Sequence, residues 1–188
     1  LGTKIPTREE ALNLLLKYNK SESLIKHAKA VEGVMRHIAK TLGEDEEIWG
    51  IVGLIHDLDY EMYPEQHCQI TKKILEEEGW DDRLIRAVLS HGWGTCTDVQ
   101  PETLMEKYLF AIDELTGLIT AVALVRPSKS ISDVEVKSVK KKWKEKSFAA
   151  GANREIIQKG ADMLGITLDE LIQLTIDGMK TVAKEIGL

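Results

Sequence analysis

An all-α, single-domain helical bundle is the fold class this sequence predicts, and three observations predict it. Apolar residues recur at helical spacing along most of the chain, and no stretch alternates as a half-buried strand would. Ser, Thr, Asp or Asn stands repeatedly just ahead of those periodic segments, where it can cap a helix N-terminus. The connections are short, with only 4 Pro and no Pro/Gly-rich linker or internal repeat. A chain of 188 residues is long enough to bury one core, and 30% charged with 5% aromatic residues suits a soluble, helix-rich protein.

Taken in order, Thr7 and Glu10 read as a capping box opening a helix through Ala11, Leu14, Leu15 and Tyr18. Ser21 caps a longer helix that ends at Gly43. Its apolar stripe runs Leu24, His27, Ala28, Val31, Met35, Ile38, Leu42, which puts His27 on the inner face and leaves His37 at the surface. Asp45 caps the third helix, with Glu46 and Glu47 in the first turn where the helix dipole favours them. That helix carries Ile48, Trp49, Ile51, Val52, Leu54 and Ile55 and delivers His56 and Asp57 at its end. A break over Asp59–Pro64 leads to a fourth helix from about Pro64 to Gly79, with His67 in its first turn. Asp81 caps a fifth, on which Leu84, Ala87 or Val88, and His91 share a face before Gly92-Trp93-Gly94.

The stretch from Tyr108 to Val125 is almost wholly apolar, and its only charges are Asp113 and Glu114. Two central acids make a membrane span costly, so a buried core helix is expected. A buried carboxylate must be paired, coordinate a cation or take up a proton. No Lys or Arg lies in the segment, so Asp113 needs a cation from elsewhere. Between Arg126 and Lys146 come eight basic and three acidic residues. Most belong on the solvated face of an amphipathic helix over Val134, Val136, Val139 and Trp143, while Arg126 and Lys129, at the helix-to-loop junction, are candidates to hold an anionic substrate. Asn153 caps a helix through Leu164, and Thr167 with Glu170 forms a capping box for the last, ending near Gly187. The domain is expected to span 1–188, with a metal-binding core over about 21–125 and C-terminal helices over 134–188 packed on it.

A net charge of -6 argues against stable nucleic-acid binding. The absence of a basic-then-apolar leader argues for a cytoplasmic protein with no membrane partner. Cys68 and Cys96, without a CxxC spacing, are either the free thiols of a reducing cytoplasm or a disulfide. Nothing in the sequence specifies an oligomeric state.

The inward-facing polar candidates are His27, His56, Asp57, His67, His91 and Asp113. This set resembles the HD-domain metal-dependent phosphohydrolase superfamily, in its HDIG-like branch of small predicted hydrolases. The resemblance rests on Lys26-His27-Ala28, on Leu54-Ile55-His56-Asp57-Leu58 and on Phe110-Ala111-Ile112-Asp113-Glu114, in that order. It implies that His27, His56, Asp57 and Asp113 bind one divalent metal. His67 and His91 sit where the family's two-metal members add ligands, with Asp57 bridging the ions. Imidazole and carboxylate without thiolate suit iron or manganese first, and zinc, cobalt or nickel next. The implied activity is hydrolysis of a small phosphate ester or anhydride, a nucleotide first among them, by metal-activated water. Asp57 and, as proton acceptor, Glu61 are the implied catalytic residues, with Asp59 and Glu114 as further acids near the ligands. The same ligands would also serve a two-iron oxygenase or a non-catalytic, metal-stabilised sensing module.

Overall fold

Caps written into the sequence decide where the helices begin. In the computed structural model, which describes all 188 residues, the side chain of Thr7 opens α1 (Arg8–Tyr18), with the full capping box to Glu10. Ser21 opens α2 (Glu22–Leu42), and Asp45 opens α3 (Glu46–Ile55). After α4 (Gln69–Glu77), Asp81 caps α5 (Asp82–Ser90). Thr103 opens α6 (Leu104–Val125). Then come α7 (Val136–Trp143), α8 (Arg154–Leu164) capped by Asn153, α9 (Leu168–Lys180) capped by Thr167, and the single turn α10 (Ala183–Ile186). The fold is all-α; bridge pairing is confined to the isolated pairs Lys4–Trp80 and Trp93–Thr97.

The two longest helices form the centre. α2 packs on α3, α6 and α9, and α6 carries α8 along its other side. Met35 and Ile38 of α2, Ile51, Leu54 and Ile55 of α3, and Leu109 and Ile112 of α6 are fully buried there. Gly160 of α8 sits directly on α6: a Cβ at this position would lie 2.5 Å from the Cα of Ala111. The close approach brings α8 beside Asp113. Helix α6 alone is long and apolar enough to cross a membrane, yet 61% of its most apolar stretch is buried inside the fold, as a core helix requires.

Three boundaries and one cap differ from the sequence expectation. The fourth helix does not run from Pro64 to Gly79. A 3-10 turn over Pro64–Gln66 ends at His67, and Cys68, at φ 78°, interrupts the helical path before α4 starts. His67 therefore stands in a break, fixed by Asp59, whose other oxygen accepts from the Thr71 amide in the first turn of α4. Helix α6 begins four residues earlier than Tyr108, because Thr103 and Glu106 form a reciprocal capping box. At Thr167 only half of the expected box forms, the hydroxyl accepting from the Glu170 amide. The last helix stops at Lys180 because Val182 leaves helical geometry and packs against Gly33 of α2. His37 is half-buried rather than exposed.

Candidate metal centre

Five elements converge on one point. His27 comes from the second turn of α2 and His56 from the C-cap of α3, where the chain is ending its helical path and the adjacent Asp57 can face the same target. His67 comes from the break before α4, His91 from the C-cap of α5, and Asp113 from the middle of α6.

Asp57 divides these ligands in two. Its Oδ2 lies 3.6 Å from His27 Nε2 and 3.2 Å from His56 Nε2. Asp113 Oδ1 completes that group at 2.9 and 3.1 Å from the same two nitrogens. Asp57 Oδ1 points the other way, 3.2 Å from both His67 Nε2 and His91 Nε2, which are themselves 3.2 Å apart. Two donors about 2.1 Å from one ion, at tetrahedral or octahedral angles, stand roughly 3.0–3.4 Å apart. The observed separations cluster around that range on both sides of Asp57, so the side chains fit a pair of bridged divalent cations.

The histidines are oriented for this. His56 Nδ1 donates to the Gly53 carbonyl at 2.6 Å, His91 Nδ1 to the Val88 carbonyl, and His67 Nδ1 to Asp59 at 2.6 Å. Each bond occupies Nδ1 and leaves Nε2 directed inward, the second layer of contacts that metal-binding imidazoles need. Burial opposes charge on His56, but Asp57 and Asp113 outweigh it and lift its pKa well above the ordinary value. Burial likewise works against His67, yet Asp57 and Asp59 raise it to about 10. Burial would raise Asp57 as well, and His56, His67 and His91 hold it well below the usual carboxylate range. Protons on imidazole thus neutralise the two acids, and bound cations would displace them.

A cavity of about 320 Å³ opens onto these side chains, walled by Tyr60, Phe110, Glu114, Cys96 and Ile156. Burial, and then the neighbouring Asp113, push the Glu114 carboxyl up to about 7. A larger hollow of about 490 Å³ adjoins it through His27, lined by Lys26, Thr120, Leu124 and Ile186; of the six candidate ligands it holds His27 alone.

Three expected site residues lie elsewhere. Glu61 does not face the cavity; its carboxylate accepts from the Lys20 and Ser21 amides at 2.9 and 2.6 Å, closing the turn between α1 and α2. Arg126 pairs with Asp133 at 3.0 Å and reaches Ser138. Lys129 sits in the following loop with φ 51°, and neither basic residue lines the cavity. The acids that do serve the site are Asp59, behind His67, and Glu114, in the wall. Glu114 was marked by its place beside Asp113 in an otherwise apolar helix.

No family model matches the chain, and no solved structure matches it. Among curated proteins, it is similar to a tRNA (cytidine(56)-2'-O)-methyltransferase of Thermoplasma volcanium. That relative is a methyltransferase. The identity is 34% over 88 residues, which is 46% of this chain and 26% of the relative, so the match spans about a quarter of the relative's length.

This finding corrects the family, function and partner expected from the motifs. The resemblance to HD-domain phosphohydrolases gives way to similarity with an enzyme of tRNA methylation. With it go the hydrolase class, the small phosphorylated substrate and the expectation of no stable nucleic-acid binding. The oxygenase and sensing alternatives gain no support from the match. The all-α fold is unaffected.

Proposed function

We propose that this chain is a metal-holding helical domain that works in tRNA modification, with tRNA as its partner. The observation that carries the metal centre is the division of Asp57, each oxygen facing its own pair of imidazoles. The named activity of the relative supplies the RNA. His27, His56, Asp57 and Asp113 would hold one cation and Asp57, His67 and His91 the other, with iron or manganese favoured and zinc, cobalt or nickel compatible. Bound there, a divalent cation polarises an oxygen brought to it and lowers the pKa of a coordinated hydroxyl.

The chain's own residues supply the rest. Glu114, in the cavity wall beside Asp113, can accept a proton from a hydroxyl in the cavity. Tyr60 is 47% exposed, edge-on to His67 with ring centroids 5.3 Å apart, and offers a face on which a base can stack. Lys141, Lys144 and Lys146 are exposed and make no ion pair within the protein, in contrast to Lys140 and Lys142. They suit phosphates, as a local patch on a chain of net charge -6. In this reading the protein works in the cytoplasm.

Elemental analysis of protein purified without chelator, paired with gel-shift titration of tRNA, tests the proposal. Two metal equivalents and tRNA binding that weakens in Asp57→Asn are expected. Metal-loaded protein that binds tRNA no better than free nucleotide would overturn it. Binding is the appropriate readout, because a match to a quarter of the relative does not by itself bring methyl transfer with it.

A further inference from the structure

Cys68 and Cys96 are not among the six ligands, yet the fold brings their Sγ atoms to 2.8 Å across 28 residues of sequence. Three features build this contact. Cys68 is fully buried and its backbone holds φ 78°, a left-handed conformation that non-glycine residues seldom adopt. Gly92 lies under both sulfurs: a Cβ there would stand 2.2 Å from Cys96 Sγ and 3.0 Å from Cys68 Sγ, so any side chain would force the pair apart. The Gln69 side-chain Nε2 donates to the Cys96 carbonyl at 2.6 Å, tying the two segments beside the sulfurs. A sulfur–sulfur bond is about 2.05 Å, so closing one takes a movement of less than about 1 Å. Access is unequal: Cys96 lines the open cavity, and Cys68 is sealed behind it.

We propose that Cys68 and Cys96 form a reversible dithiol–disulfide pair that latches the His67 side of the cavity to the His91 side. The oxidant class is a low-molecular-weight disulfide. Cys96, the half-buried thiol that lines the cavity, attacks one of its sulfurs as thiolate, forms a mixed disulfide and expels one thiol. The Cys68 thiolate then attacks Cys96 Sγ, forms the internal bond and expels the second thiol. The protein loses two electrons and two protons, and the oxidant leaves as two thiols. The bond closes a loop that contains α4 and α5, with His67 just outside it and His91 within. This inference stands apart from the metal and tRNA readings, since the pair can be followed in metal-free protein.

The full chain, stripped of metal, is incubated with oxidised glutathione and followed by intact mass, peptide mapping and thermal melting. The expected product has lost two hydrogens, carries one cross-linked peptide joining residues 68 and 96, and reverts with dithiothreitol. Its Tm rises by roughly 5–10 °C, as closing a loop of this size allows. Cys68→Ser should stop at a glutathione adduct on Cys96, and Cys96→Ser should show neither adduct nor bond. Thiols that persist in folded wild-type protein, or wild type that halts at the same adduct as Cys68→Ser, would overturn the pair. A cross-link that leaves Tm unchanged would overturn the latch.

Discussion

Helix α2 serves two buried carboxylate clusters, barely more than a turn apart, that are solved in opposite ways. At Glu32 the acid is met by permanent cations: Arg8 donates at 2.8 and 3.0 Å and Arg36 at 3.0 Å, with Arg36 also held by Glu47. Gly50 on α3 makes room for this, since a Cβ there would collide with the Arg36 guanidinium at 2.3 Å. At His27 the same helix faces Asp57 and Asp113, whose ion-pair partners are imidazoles alone. Guanidinium cannot surrender its proton, so the Glu32 cluster is complete and fixed. Imidazole can, and so the Asp57 cluster can exchange protons for metal ions. The identity of the cationic partner therefore yields a strut in one place and a receptive site in the other.

The comparison breaks most sharply on a pair of truncations. Asp57→Ala should reduce bound metal from two equivalents to background, because the bridging carboxylate serves both ions, and should leave the metal-free protein nearly as stable as before. Glu32→Ala should leave metal content untouched and lower unfolding free energy by about 1–3 kcal/mol, since the charged hydrogen bonds to Arg8 and Arg36 are lost while Arg36 keeps Glu47. Urea melts and elemental analysis of both variants decide the matter. Two metal equivalents in Asp57→Ala would remove the distinction between the clusters.

A finer division lies within the candidate metal centre itself. Asp59 is fully buried and touches His67 alone among the candidate ligands, 2.6 Å from its Nδ1. Asp59→Asn keeps an acceptor near His67 and Thr71 but removes the charge that favours the inward-facing tautomer. Affinity for one cation should fall roughly 10–100-fold while the other is held as before. Competition against a chelator, followed by manganese resonance, would show one weakened site and one intact. Equal weakening of both would mean that the two halves do not load separately.

The helical frame was legible because its signals are local. A Thr or Asp at an N-cap and an apolar stripe need no knowledge of the rest of the chain. The convergence of the candidate ligands was legible for a related reason: His27, His56, His91 and Asp113 fall on inward faces of their own helices. The break at His67 and Cys68 was hidden, since a cysteine with positive φ carries no sequence mark, and His67 and Thr71 on either side of it are held by Asp59 from outside the segment. The choice among Asp59, Glu61 and Glu114 was hidden too. It depends on how the turn after Asp57 folds back, and that turn sends Glu61 to the Lys20 and Ser21 amides just ahead of α2. The Thr103–Glu106 box was present in the letters and was passed over in favour of the apolar run behind it. Function was the least legible, because imidazoles and carboxylates around a cation are common to several chemistries. The corrected direction came from similarity to a tRNA methyltransferase, outside the ligand pattern altogether.

The smallest effect separates the arginine-paired acids from the metal centre by pH. Glu106 is buried and caps α6; its Oε1 lies 2.6 Å from Arg86 and accepts from the Glu102 and Thr103 amides. Burial works to raise its pKa, but those amides and Arg86 outweigh it and hold the value below the ordinary 4.5. A depressed carboxylate stabilises the fold fully above its unfolded pKa, and that contribution is lost as pH falls through the folded one. Wild-type stability should therefore decline below about pH 4.5, and Glu106→Gln should decline less, with metal content at neutral pH unchanged. A decline of equal slope in both proteins would mean that the Glu106–Arg86 pair, unlike the one at Glu32, adds nothing to the fold.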